Sequence, residues 1–95
     1  TGGENVAPGE VEAVLLSHPA VADAGVFSRP DSEWGEALVA AVVLRDGKAL
    51  DVAELRAHCA AQLAPFKVPK AVDVVQRLPR TPSGKLLRRE LGRED

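Results

Sequence analysis

Hydrophobic positions along the chain change spacing several times, and those changes outline six elements. Val11, Val14 and Leu15 recur three and four residues apart, which gives a helix one apolar face. That helix begins around Ala7-Pro8-Gly9, because proline is tolerated in a first turn and Glu10 and Glu12 suit the positive end of the helix dipole. Ser17-His18-Pro19 stops it, since the residue before a proline is pushed out of the α region. Residues 21–28 and 36–45 predict strands. In the second, residues 38–44 are nearly all apolar, which implies burial on both faces. Residues 29–35 predict a connecting loop long enough to carry contacts, and Asp46-Gly47 predicts a turn.

Asp51 and Glu54 have the spacing of a capping box, with Asp in place of the usual Ser or Thr. The helix they open presents Val52, Leu55, Cys59 and Leu63 on one side and ends at Pro65. A third strand follows over residues 71–76. A short last helix over residues 85–91, with Ser83 as its cap, completes the order helix, strand, strand, helix, strand, helix. The predicted fold class is α+β, a small sheet of about three strands covered by helices.

Ninety-five residues, 45% of them hydrophobic, suffice for a single small domain. Only 3% are aromatic, so Ala, Val and Leu must do most of the packing. The lone cysteine, Cys59, has no internal partner, which favours a reducing, cytoplasmic setting. No apolar run reaches membrane-spanning length and no signal-peptide pattern opens the chain. Thr1-Gly2-Gly3-Glu4-Asn5 reads as the interior of a longer polypeptide, so an excised domain is expected.

The net charge of −2 conceals an asymmetry, with −6 on residues 1–46 and +4 on residues 47–95. A basic half suits either nucleic acid or a phosphorylated small molecule. Its arginines are interleaved with Leu86, Leu87 and Leu91, and no nearby aromatic offers a base a stacking platform. Nucleic acid is therefore not the expected partner.

Candidate chemistry concentrates in Pro79-Arg80-Thr81-Pro82-Ser83-Gly84-Lys85. Two prolines stiffen the backbone, and Gly84 removes the side chain that would crowd an approaching group. Lys85 then projects from a short loop as a long cation suited to anionic oxygens. A solvated surface lysine is the plain alternative. A phosphate-binding P-loop is excluded, because Leu86 stands where that motif needs Ser or Thr and the earlier glycine is missing.

This string resembles the last core motif of the AMP-forming adenylating enzymes, a superfamily of acyl-CoA synthetases, peptide-synthetase adenylation domains and luciferases. Three further segments match in the same order. Gly2-Gly3-Glu4-Asn5-Val6-Ala7-Pro8-Gly9-Glu10-Val11-Glu12 is similar to the family motif after the hinge between large and small domains. Asp31-Ser32-Glu33-Trp34-Gly35-Glu36 is similar to its Asp-x-x-x-Gly-Glu loop, and Phe66-Lys67-Val68-Pro69-Lys70 to the segment before its final strand. Together they cover nearly the whole chain.

The resemblance implies that residues 1–95 are the mobile carboxyl-terminal domain of an AMP-dependent ligase whose large amino-terminal domain lies elsewhere. It implies activation of a carboxylic acid by ATP and magnesium, then acyl transfer to CoA. Lys85 is implied as catalytic, with Gly84 beside it, and Gly2, Gly3 and Glu4 as a border of the pantetheine tunnel. The acid, adenine and magnesium sites are implied to belong to the large domain. An adenylation domain that loads a carrier-protein thiol remains an alternative, as does a free-standing binding module.

The remaining polar residues read as structural. Glu10 and Glu12 fit a first-turn charge cluster better than a catalytic carboxylate pair. Trp34 is expected to anchor its loop, and Cys59 to lie in the core. His18 and His58 are far apart without metal-ligand spacing, and no nucleophilic triad can be assembled. Lys67, Lys70, Arg77 and Arg80 default to solvated surface charge, with phosphate contact as the alternative.

Overall fold

The computed structural model describes residues 6–33 and 35–92. Helix α1 (Pro8–Leu16) leads into strands β1 (Val21–Asp31) and β2 (Gly35–Leu44). Helix α2 (Val52–Ala60) and a 3-10 turn (Pro65–Lys67) then precede β3 (Ala71–Val74), and a second 3-10 turn (Arg88–Glu90) lies near the end. The sheet order is β1-β2-β3, with β1 antiparallel and β3 parallel to β2. A parallel neighbour requires a crossover connection, which α2 supplies. The expected α+β class holds.

The apolar run of β2 is buried on both faces, as its composition predicts. Ala40 and Val42 join Val26 and Ala24 of β1 beneath the helices, where Val11, Leu15, Leu55 and Cys59 pack on them. Val39 and Ala41 point the other way, toward Phe27, Leu78 and Leu91, with Leu86 at the margin. The helices therefore cover one face, and the carboxyl-terminal segment covers the other. Asp51 caps α2, its Oδ1 accepting from the Glu54 amide at 3.1 Å.

Five expectations need correction. Helix α2, expected to run to Pro65, ends at Ala60, so Leu63 lies beyond it. The loop expected over residues 29–35 is largely strand, because β1 continues to Asp31 and pairs with Gly35 of β2. Pro30 fits there because β1 is an edge strand and alternation turns the Pro30 nitrogen outward, as at Val26. The third strand ends at Val74, although the Val75 amide still donates to the Val42 carbonyl. Val52, expected on the buried side of α2, is 41% exposed at the first position of that helix.

The helix expected over residues 85–91 shrinks to the turn Arg88–Glu90. Residues 79–81 compete successfully for the backbone before it. The Thr81 amide donates to the Lys85 carbonyl, the Leu87 amide donates to the Pro79 carbonyl, and Arg80 bridges Leu86. Ser83 consequently caps nothing, and its Oγ lies 3.0 Å from Thr81 Oγ1. The roles expected of Gly2, Gly3, Glu4 and Trp34 fall outside the described residues.

Candidate functional site

A small hairpin, residues 80–86, carries the lysine motif. Its tip is a turn in which the Gly84 amide donates to the Thr81 carbonyl at 2.8 Å. Pro82 occupies the second turn position, where its fixed φ is favourable. Gly84 follows at φ +97°, a conformation that L side chains rarely adopt. Thr81 ties the tip together. Its Oγ1 accepts from the Lys85 amide at 3.0 Å, while its own amide holds the Lys85 carbonyl at 2.8 Å.

Lys85 is exposed, and its ammonium has no hydrogen bond or ion pair with any described residue. The backbone around it is thus fixed while the cation stays available. A Cβ at Gly84 would meet nothing within 4 Å, so the glycine is required by its backbone angle and not by crowding inside this domain. That refines the steric expectation for Gly84.

Arg80 anchors the hairpin to the sheet. Its Nε and Nη2 donate to the two carboxylate oxygens of Asp23 at 3.2 and 2.8 Å. Its Nη1 donates to the Gly84 carbonyl at 2.8 Å. Arg80 is therefore committed to structure and is not a merely solvated charge. Lys67 is similarly engaged, with its Nζ 2.8 Å from Glu10 Oε1, and Lys70 also has a partner. Arg77 lies exposed.

Glu10 and Glu12 are not a catalytic pair. Glu12 Oε2 accepts from the Val26 amide at 2.8 Å and from Arg88 Nη1, while Glu10 turns to Lys67.

His18 and His58, forty residues apart in the chain, meet with their rings edge to face and centroids 5.1 Å apart. His18 Nδ1 accepts from the Ala20 amide, so the other nitrogen carries the proton donated to Glu54 Oε1 at 2.7 Å. Ser17 Oγ lies 2.9 Å from His58 Nε2, a spacing compatible with an activated nucleophile. The hydroxyl, however, donates to the Val14 carbonyl at 2.6 Å, so its proton is already committed. The cluster is a polar clamp between α1 and α2. Among the described residues no group of three or more His, Cys, Asp or Glu side chains could hold a metal ion. Cys59 is buried, and burial raises its thiol pKa against an opposing pull from Arg56. No helix among the described residues is long and apolar enough to cross a membrane.

Comparison with known proteins identifies the family of this fold. The family model for the AMP-binding enzyme C-terminal domain matches residues 10–85, a match that ends on the hairpin lysine. The 2-succinylbenzoate–CoA ligase of Geobacillus kaustophilus is 53% identical over 93 residues, 98% of this chain and 19% of that protein. The sulfoacetate–CoA ligase of Cupriavidus necator is 46% identical over 90 residues, 95% of this chain and 18% of that protein. Among solved structures, o-succinylbenzoate CoA synthetase from Bacillus subtilis, in complex with its acyl-adenylate intermediate, superposes with a TM-score of 0.90 at 47% identity. That superposition covers 98% of this chain and 19% of the other. The chain thus spans about a fifth of the length of these relatives. On the extent of these matches, it belongs to the AMP-binding enzyme C-terminal domain family.

Proposed function

We propose that this chain is the mobile carboxyl-terminal domain of a cytoplasmic AMP-forming acyl-CoA synthetase, with the large amino-terminal domain carried by the rest of the protein. The parent enzyme activates a carboxylic acid with ATP, releases pyrophosphate, and passes the acyl group from AMP to CoA. The observation that carries this reading is the exposed ammonium of Lys85, without a partner among the described residues, on a hairpin whose backbone is fixed from Arg80 to Leu86.

Lys85 serves the adenylation half-reaction. Attack of a carboxylate on the α-phosphate brings negative oxygens together, and a preorganised cation between them stabilises the charge of the transition state. Gly84 supplies the backbone angle that presents the lysine. Gly2, Gly3 and Glu4 serve the thioester half, where a glycine surface lets a thin pantetheine arm pass close to the backbone. The domain rotates between the two halves, so that Lys85 withdraws before CoA attacks.

Selection of the acid lies outside this domain. One relative is named for 2-succinylbenzoate and another for sulfoacetate, yet both keep 46–53% identity to it. Magnesium is likewise assigned to the large domain. The described residues here do not fit a metal site, and no step assigned to them runs through one.

The test uses the full-length protein. It should catalyse pyrophosphate exchange into ATP that depends on a carboxylic acid, and it should form a thioester with free CoA. Gly3→Trp should slow thioester formation far more than exchange. Loading of a carrier-protein thiol with no use of CoA would replace this acceptor by the alternative one. Appreciable exchange by the 95-residue chain alone would overturn its assignment as part of an enzyme.

A further inference from the structure

Val21 and Asp23 are two residues apart in β1, yet they face opposite sides of the sheet. Regular alternation would place them on the same side. The register between β1 and β2 shifts between Val21, opposite Leu44, and Asp23, opposite Val43. Val21 consequently packs beneath the helices, while Asp23 emerges on the face that carries the lysine hairpin. Bulges of this kind commonly re-aim a side chain.

The re-aimed carboxylate meets Arg80 side-on through both of its oxygens, at 2.8 and 3.2 Å. Asp23 Oδ1 also accepts from the Ala24 amide at 2.9 Å, which fixes the carboxylate to its own strand. The far nitrogen of the same guanidinium holds the Gly84 carbonyl, which belongs to the peptide joining Gly84 to Lys85. A planar guanidinium spans both contacts in a rigid fork. The path runs from a bulged strand through two charge-assisted contacts to the peptide that aims Lys85.

We propose that Asp23 and Arg80 are positioning residues for Lys85, setting the direction of its ammonium during adenylation. The proposal rests on Lys85 serving that half-reaction. Neither residue touches the reacting atoms. Their effect is geometric, and a misplacement of about an ångström at a catalytic group can cost on the order of a hundredfold in rate.

The experiment measures both half-reactions of the full-length enzyme for Arg80→Ala, Asp23→Asn and Lys85→Ala, and for Arg80→Ala and Asp23→Asn each combined with Lys85→Ala. Arg80→Ala should lower the adenylation kcat about tenfold to a hundredfold, leaving KM for ATP and acid close to wild type. Asp23→Asn keeps the shape and the Ala24 contact but loses the charge, and its loss should be smaller and of the same kind. Thioester formation from supplied acyl-adenylate should be unchanged in both. In the Lys85→Ala background neither substitution should cost anything further, because no ammonium remains to be aimed. A role in general folding predicts the opposite, namely equal loss in both half-reactions and undiminished loss without Lys85. Either of those results, or wild-type adenylation by Arg80→Ala, overturns the positioning role. Normal adenylation by Lys85→Ala overturns the assignment of Lys85 itself and the positioning role with it, so the two failures are told apart.

Discussion

Arg88 and Glu12 meet across the outer edge of β1, at the backbone of Val26. Glu12 Oε2 accepts the Val26 amide, Arg88 Nη1 donates to the Val26 carbonyl at 2.6 Å, and the two side chains pair with each other. An edge strand leaves a row of unpaired amides and carbonyls, which invites association with another chain. Here a helix carboxylate and a carboxyl-terminal arginine satisfy one such residue, and in doing so they fasten α1 and the final segment to the sheet.

Glu12→Ala should therefore destabilise the chain by about 1–3 kcal/mol, the usual cost of leaving a partly buried amide without its acceptor. Glu12→Gln should cost less, since a side-chain carbonyl can still accept from Val26. Urea unfolding of the 95-residue chain, followed by circular dichroism, measures both. Equal stability of Glu12→Ala and wild type would show that the edge contact is dispensable.

Gly25 lies on the face of β1 opposite the helices, where the terminal methyls of Leu91 and Leu86 come within 3.0 and 3.1 Å of where a Cβ would be. A larger residue must push these leucines, and Leu86 is bridged to Arg80 in the lysine hairpin. Gly25→Val should cost about 1–3 kcal/mol through overpacking. Thermal unfolding checks the magnitude. A stabilised variant would mean that the hairpin side of the core is looser than these contacts indicate.

Cys59 carries a pH dependence whose sign follows from its burial. Desolvation raises its thiol pKa above the ordinary thiol range, and Arg56 opposes this in part. The folded state thus holds the proton more tightly than the unfolded state does. This contribution to stability is fully present below the unfolded pKa and is lost as pH rises through the folded one. Unfolding free energy should decline through the alkaline range above the ordinary thiol pKa, and Cys59→Ala should flatten that decline. Cys59 should also react slowly with iodoacetamide until the chain unfolds. Rapid alkylation of the native protein would contradict its placement in the core.

Legibility in the sequence tracked how local each determinant is. Residues 38–44 announced a strand buried on both faces because burial acts on each side chain in turn. The Asp51–Glu54 box was readable because cap and amide are three residues apart. The final helix falls short of its expected length for a related reason. Residues 85–91 have leucines at acceptable helical spacing, but Pro79, Arg80 and Thr81 claim their backbone for a hairpin, a competition that spacing does not display. The site divided the same way. Lys85 and Gly84 stand in a contiguous string. Asp23 reaches Arg80 across 57 residues and only through a bulge that reverses its side of the sheet. Glu12 looked like a favourable charge at a helix start, and its partners Val26 and Arg88 come from elsewhere in the fold. The meeting of His18 with His58 is likewise a product of packing α1 on α2.

The most direct test of the proposed function separates adenylation from thioester formation in the full-length protein carrying Lys85→Ala. Loss of one preorganised charge contact in a transition state costs on the order of a hundredfold to a thousandfold in rate. Adenylate formation, followed by acid-dependent pyrophosphate exchange, should fall by at least that much. The same preparation, given acyl-adenylate and CoA, should form thioester at close to the wild-type rate. Normal adenylation, or an equal loss of both half-reactions in a folded protein, would contradict the role assigned to Lys85.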